Sequence, residues 1–241
     1  MNLLILAAGR GQRIYDKINT HKSLLKVNKK ALIEKIVDDA NKSQVFDKIF
    51  IVVGFKKNLV QKKLNNKKKI NFIYNKKYKS TEMTQSLLLG LRKLDGDTVV
   101  CYSDIYFSKQ IFKKIEKNKI NKQVLLPVTT NWKKIWKLRK KNYKDDCETL
   151  KINHKNILTE IGNKIKNYKD VQAQYMGIFF ISKKTKKYFQ ELLSKKSKKK
   201  KIHITYFLNS VKKKISIYCL RTKDYWYEFD DYDDYLNFKN K

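Results

Sequence analysis

Residues 2–13, NLLILAAGRGQR, set two glycines two positions apart, each followed or closely trailed by an arginine, directly behind the first apolar run. The chain has only seven glycines in 241 residues, so this placement calls for a reason. NLLILAA reads as a buried strand, and a phosphate loop of an open α/β sheet sits at the carboxyl end of its first strand. Gly9 and Gly11 let backbone N–H groups come close to a polyphosphate, because no Cβ intervenes and positive φ costs little. Arg10 and Arg13 add charge, with Arg13 the better placed for a two-pronged contact with phosphate oxygens. The stretch is not G-x-x-x-x-G-K-[ST], nor is it G-x-G-x-x-G, since residue 14 is Ile. A tight turn is the plain alternative. Lys22, nine residues beyond Arg13, lies where a loop can fold back over the same phosphates.

Working outward, strand-length apolar runs alternate with amphipathic stretches. ALIEKIVDDANKS predicts a helix, KIFIVVGF a second buried strand, and 57–64 a short helix. INFIYN, TQSLLLGLRKL and TVVCYSD then predict strand, helix and strand, so the order is βαβαβαβ with crossover helices on both faces. Beyond Asp104 the alternation loosens. QVLLPV predicts a strand, ETLKIN and ILTEIG a hairpin over 154–156, and QAQYMGIFFIS one long strand followed by the helix KKTKKYFQELL. The lysine run KKSKKKK reads as a solvated loop before the helix HITYFLNSV, the strand ISIYCL and the acidic YEFDDYDDYL. The expectation is one α/β domain with a Rossmann-like, mostly parallel central sheet and a small β-rich subdomain. Within it, 1–107 carries the regular alternation, 122–182 is a β-rich region, and 183–241 holds the C-terminal helices, strand and acidic segment.

A formal charge of +35 suggests a polyanion partner. Yet only five of the 57 basic residues are Arg, while nucleic-acid readers rely on Arg for bidentate contacts. The excess reads as a compositional bias towards Lys, Asn and Ile, with no specific nucleic-acid partner. The run LLILAA is too short for a signal or spanning segment, so no membrane role is expected. Cys101, Cys147 and Cys219 are odd in number, far apart and without C-x-x-C spacing, as reduced buried thiols of a cytoplasmic protein would be.

LAAGRGQR followed by HKSLL resembles the L-A-A-G-x-G-x-R and P-K-x-L pattern of nucleotidyltransferases of the sugar-phosphate and choline-phosphate type, with His21 in place of the proline. The match runs from Leu3 to about Leu236, through spaced short motifs. It is strongest with the bacterial choline-phosphate and phosphoglutamine-type cytidylyltransferases, because of NKKYKSTEMTQSLLLGL and the segments NWKKIWKLRKKNYKDDCETLKIN and QAQYMGIFFIS.

The resemblance implies a reaction of CTP with a small phosphorylated amine or alcohol, releasing pyrophosphate, and it leaves room for a homodimer. It assigns Lys22 and Arg13 to catalysis. Leu6, Ala7, Ala8, Gly9, Arg10, Gly11, Glu82, Met83 and Ser86 fall to the nucleotide, with Glu82 where the family carries Asn. A Mg²⁺ ion would be held by Asp104 and by Asp230, which follows Glu228 in an E-x-D pattern. The simpler readings are a helix cap at Asp104, caps at Ser80 or Thr81, and a solvated acidic edge taking in Asp231, Asp233 and Asp234. Acceptor candidates are Trp132, Trp136, Glu148, Gln174 and Tyr175, since an aromatic face beside a carboxylate suits an ammonium group; core packing is the alternative for the tryptophans. His154 and His203 read as surface residues. The competing functions are a sugar-1-phosphate nucleotidylyltransferase and, from another class, a nucleic-acid-binding module.

Overall fold

The first strand explains its own central position. In β1 (Asn2–Ala7) every residue is buried, with Leu3, Ile5 and Ala7 facing one core and Leu4 and Leu6 the other. A run without a polar face belongs between two layers, as in a parallel sheet covered on both sides. The computed structural model describes residues 1–197 and 202–239.

After β1 come α1 (Gln12–Ile18), a single 3₁₀ turn at Lys22–Leu24, and a small hairpin of β2 (Lys26–Val27) and β3 (Lys30–Ala31) leading into α2 (Leu32–Ser43). The alternation continues through β4 (Lys48–Val53), α3 (Lys57–Leu64), β5 (Ile70–Tyr74), α4 (Met83–Lys93) and β6 (Thr98–Tyr102). Next are β7 (Ile105–Phe107), α5 (Gln110–Asn118), β8 (Val124–Thr129), α6 (Trp132–Arg139) and α7 (Tyr143–Asp146). The remainder is β9 (Glu148–Ile152), β10 (Leu158–Lys164), β11 (Gln174–Tyr175), β12 (Ile178–Ile181), α8 (Lys183–Ser197), α9 (Ile204–Val211), β13 (Ile217–Thr222), β14 (Trp226–Glu228) and α10 (Tyr232–Lys239).

β5, β4, β1 and β6 pair in parallel, as the sequence alternation predicts. β12 then enters antiparallel between β6 and β8, and β13 runs parallel to β8 on its far side. α2 and α5 pack on one face of this sheet, and α4, α8 and α9 on the other. Within 122–182, strands β8, β11 and β12 complete the central sheet, while β9 and β10 form a separate antiparallel hairpin.

Two expectations change. QAQYMGIFFIS is not one strand but two, β11 and β12, because Gly177 turns left-handed at φ 72°. Its carbonyl accepts from the Tyr102 N–H (2.9 Å), and a Cβ there would lie 2.9 Å from the Tyr102 ring. The lysine run also begins inside α8, which extends to Ser197; Lys198–Lys201 lie outside the described residues. All three cysteines are free and buried. Among the described residues no helix is long and apolar enough to cross a membrane.

Candidate active site

β1 and β6 are parallel neighbours, with Leu6 paired to Tyr102, so the segments leaving their carboxyl ends emerge side by side. Ala8–Gly11 leave one and Asp104 the other. A Cβ on Gly9 would meet no protein atom within 4 Å, so internal packing does not require glycine there. Gly11 is different. Its φ is +60°, and a Cβ would come within 2.9 Å of the Lys22 side chain, which lies across it. Gly11 thus makes room for Lys22, a role that the sequence did not suggest.

Lys22 sits on the 3₁₀ turn, whose cap is His21: the Ser23 N–H donates to His21 Nδ1 (3.2 Å), and Ser23 Oγ lies 2.8 Å from the same nitrogen. His21 is only 1% exposed, and burial drives its pKa down to about 4 despite the pull of Asp104. Reading the sequence did not anticipate this buried cap. Lys22 Nζ reaches Asp104 Oδ2 at 2.7 Å and Asp230 Oδ1 at 3.5 Å. Burial alone would lower the lysine pKa, but Asp104 and Asp230 outweigh it and the net shift is upward.

Asp230 follows β14, which pairs antiparallel with β7, and the Phe229 N–H donates to the Asp104 carbonyl (3.1 Å). That ribbon brings residue 104, from mid-chain, together with residue 230 near the C-terminal end. Burial raises Glu228 well above the carboxylate range, helped by Asp230 and Asp104. For Asp230 the burial penalty is overcome by Lys22, Arg139 and other cations, and its pKa falls to about 2. Arg13 stands 3.8 Å from Asp230.

Arg13, Lys22, Asp104, Glu228 and Asp230 line one cleft of about 420 Å³. It also holds Glu82 and Met83 at the start of α4, and Trp136, Glu148, Gln174 and Tyr175. Gln174 Nε2 donates to the Glu148 carbonyl (2.7 Å), and Thr205 Oγ1 donates to Glu148 Oε1 (3.1 Å). Burial pushes the Glu148 carboxyl upward, against that hydrogen bond and nearby His203.

Not every candidate reaches the cleft. Arg10 is half-exposed, pairs with Asp16 at 3.5 Å and lies over the Tyr15 ring. Leu6 and Ala7 are buried sheet residues, Ala8 is buried just beyond β1, and Ser86 is a buried acceptor for Asn75 Nδ2 at 3.1 Å. Trp132 is 2% exposed in the core, one helical turn from Trp136. Ser80 and Thr81 bond back to the Lys77 carbonyl instead of capping α4.

The sequence did not reveal every residue at this site. Asp234 is no solvated edge: it is fully buried and takes Arg139 Nε at 2.8 Å and Lys141 Nζ at 2.9 Å. His203, read as bland surface, lines the cleft at the start of α9, as does Arg139. For Arg139 the signal was its rarity, one of five arginines among 57 basic residues. A larger groove of about 990 Å³ is walled by Tyr106, Tyr225 and Phe238 and contains none of the Lys22, Asp104 and Asp230 set.

The cleft therefore gathers six carboxylates (Glu82, Asp104, Asp146, Glu148, Glu228, Asp230) against three cations (Arg13, Lys22, Arg139), in a chain whose surface is overwhelmingly basic. A lysine that bridges an aspartate beyond β6 to one beyond β14, at the carboxyl edge of an α/β sheet covered on both faces, suits the binding of nucleoside phosphates. Comparison with known proteins agrees: residues 3–159 match the MobA-like NTP transferase domain. The chain belongs to this family of nucleotidyltransferases. Over 195 residues, 76% of this chain and 73% of the relative, it is 30% identical to CTP:phosphoglutamine cytidylyltransferase of Campylobacter jejuni. The solved inositol-1-phosphate CTP transferase from T. maritima aligns with 99% of this chain and 94% of its own at a TM-score of 0.76 and 17% identity. CTP:phosphocholine cytidylyltransferase from Streptococcus pneumoniae aligns with 99% of this chain and 97% of its own, also at 0.76, with 20% identity. At such identities the two structures speak to the fold.

Proposed function

We propose that the protein is a cytidylyltransferase that joins CTP to a small phosphorylated amine and releases pyrophosphate. The observation carrying this reading is the Lys22 bridge between Asp104 and Asp230 at the rim of a locally acidic cleft. The 30% identity with a CTP-using relative supports the choice of nucleotide.

The donor set fits a hard divalent cation such as Mg²⁺. Asp104 Oδ1 is buried with no hydrogen-bond partner, and every acidic neighbour offers carboxylate oxygen. Asp104 and Asp230 would hold the ion, which when bound supplies Lewis acidity at the α-phosphate.

The rest belongs to the chain. An acceptor phosphate oxygen attacks the α-phosphorus in line, the new P–O bond forms as the bond to the β-phosphate oxygen breaks, and pyrophosphate departs. The acceptor is already an anion, so no base is required; the work is alignment and neutralisation. Arg13 and Lys22 supply positive charge to the phosphates, and the 8–11 loop approaches them through backbone. Glu82 and Met83 stand on the nucleotide side, which fits a base contact. Trp136, Glu148, Gln174 and Tyr175 form the acceptor side, where a carboxylate beside an indole suits an ammonium group.

Pyrophosphate release with Mg²⁺ and each of the four ribonucleoside triphosphates tests this, against phosphocholine, phosphoethanolamine, phosphoglutamine-type compounds and hexose 1-phosphates. Turnover confined to CTP and an amine-bearing phosphate is the expected result. Turnover only with UTP and a hexose phosphate would overturn it in favour of a sugar nucleotidylyltransferase.

A further inference from the structure

Arg139 ends α6 on the acceptor side, yet its guanidinium is 0% exposed and points at the metal-side carboxylates. Nε lies 2.8 Å from Asp234 Oδ1, and Nη2 lies 2.9 Å from Asp234 Oδ2. That two-pronged pair would be enough to hold the helix end. The same Nη2 also donates to Asp230 Oδ2 at 2.9 Å, and Nη1 sits 3.2 Å from Asp146. The guanidinium rests on the Trp136 ring, 4.8 Å from its centroid. Asp234 completes the grip by accepting the Asp230 N–H (2.8 Å), so residue 230 is fixed through main chain and side chain together. Oδ1 of Asp230 is left facing Lys22 and Arg13.

We propose that Arg139 is a positioning residue, braced by Asp234 and Trp136, that holds the Asp230 carboxylate by one oxygen so that the other is presented to the divalent cation. This rests on the nucleotidyl-transfer reading. A lysine cannot substitute, because a single ammonium cannot bond Asp234 twice and Asp230 once in one plane. Partners behind a metal ligand set its orientation, and losing one weakens metal binding by about 10- to 100-fold. The arrangement also places Trp136, a wall of the acceptor side, one contact from the carboxylate that would hold the ion.

The test is Mn²⁺ binding to the full chain with CTP present, read from the electron paramagnetic resonance of free Mn²⁺, for the wild type, Arg139→Lys and Asp234→Asn. Both variants are expected to bind Mn²⁺ about 10- to 100-fold more weakly. CTP affinity in EDTA should stay unchanged, and turnover should recover as Mn²⁺ is raised. Asp234→Asn leaves the guanidinium in place and keeps the question answerable if Arg139→Lys folds poorly. Unchanged Mn²⁺ affinity in a folded variant would overturn the proposal. So would a raised acceptor KM that metal does not rescue, since Arg139 would then be touching acceptor. A wild-type protein that binds no Mn²⁺ with any nucleoside triphosphate would instead remove the functional reading on which the proposal stands.

Discussion

At the end of the cleft proposed to take the nucleotide, the 8–11 loop and Asp104 follow the carboxyl ends of β1 and β6, two strands locked side by side from Asn2↔Thr98 to Leu6↔Tyr102. At the end proposed to take the acceptor, Trp136, Glu148, Tyr175 and His203 come from a helix, a hairpin, a two-residue strand and the start of another helix. Parallel register delivers the first set almost automatically, since any residue just past such strands lands near its counterpart. The second set depends on separate packing events: the break at Gly177, the β9–β10 hairpin and the buried Arg139–Asp234 pair. One end is a consequence of topology and the other of side-chain assembly.

If that contrast is right, the largest loss should follow from one change at the nucleotide end. Lys22→Ala removes the only buried cation that bridges Asp104 and Asp230 among the described residues. Turnover is expected to drop by about 10²-fold or more, the scale of losing one preorganised electrostatic group, with the fold retained. Initial-rate pyrophosphate release measures it. A variant with near-normal turnover would show that the phosphate side of the cleft lies elsewhere.

His21 offers the next break. Its folded pKa of about 4 lies below the ordinary histidine value of 6.5. Between those two values the unfolded chain takes up a proton that the folded chain refuses. This group's contribution to stability is therefore intact above 6.5 and is lost as pH falls towards 4. Glu148 and Glu228, both shifted upward, act in the opposite direction over the acid range. Comparison with His21→Ala isolates the histidine: the wild-type melting temperature should fall further than the variant's, by several degrees, between pH 7 and pH 4.5. Parallel curves would mean that His21 titrates normally and does not brace the Lys22 turn from inside.

The same contrast governs what could be read in the sequence. NLLILAA, KIFIVVGF and TVVCYSD announce their strands because buried parallel strands are continuous apolar runs, and Asp104 is legible as the residue after one of them. QAQYMGIFFIS looked equally continuous, but Gly177 must turn left-handed against Tyr102, a demand visible only once the two strands meet. YEFDDYDDY shows five acids in nine residues and nothing to say that Asp234 is the buried one. Trp132 and Trp136 share a helix face, so spacing makes them equal candidates, and only the folded packing separates them: Trp136 lines the cleft and Trp132 does not. Arg139 stood among lysines, and its role follows from carboxylates some ninety residues further along the chain.

The smallest of the expected effects probes the acceptor end, where assembly spreads the binding over several side chains. Glu148→Gln keeps the shape and the Thr205 neighbour but removes the charge that would face an ammonium. The acceptor KM should rise by about 10-fold, the order of one charged hydrogen bond, while the CTP KM stays put. An amine-free phosphate acceptor should show no such change. The pH profile sharpens this, because Glu148 must be ionised to hold a cation and its pKa lies above that of an ordinary carboxyl. Acceptor binding by the wild type should accordingly weaken as pH falls, beginning at a higher pH than an exposed glutamate would give, and Glu148→Gln should flatten that arm. A variant whose KM and pH profile match the wild type would place the ammonium away from Glu148 and shift attention to the Trp136 face. An acceptor KM that rises equally for amine-bearing and amine-free phosphates would mean that Glu148 shapes the pocket without reading its charge.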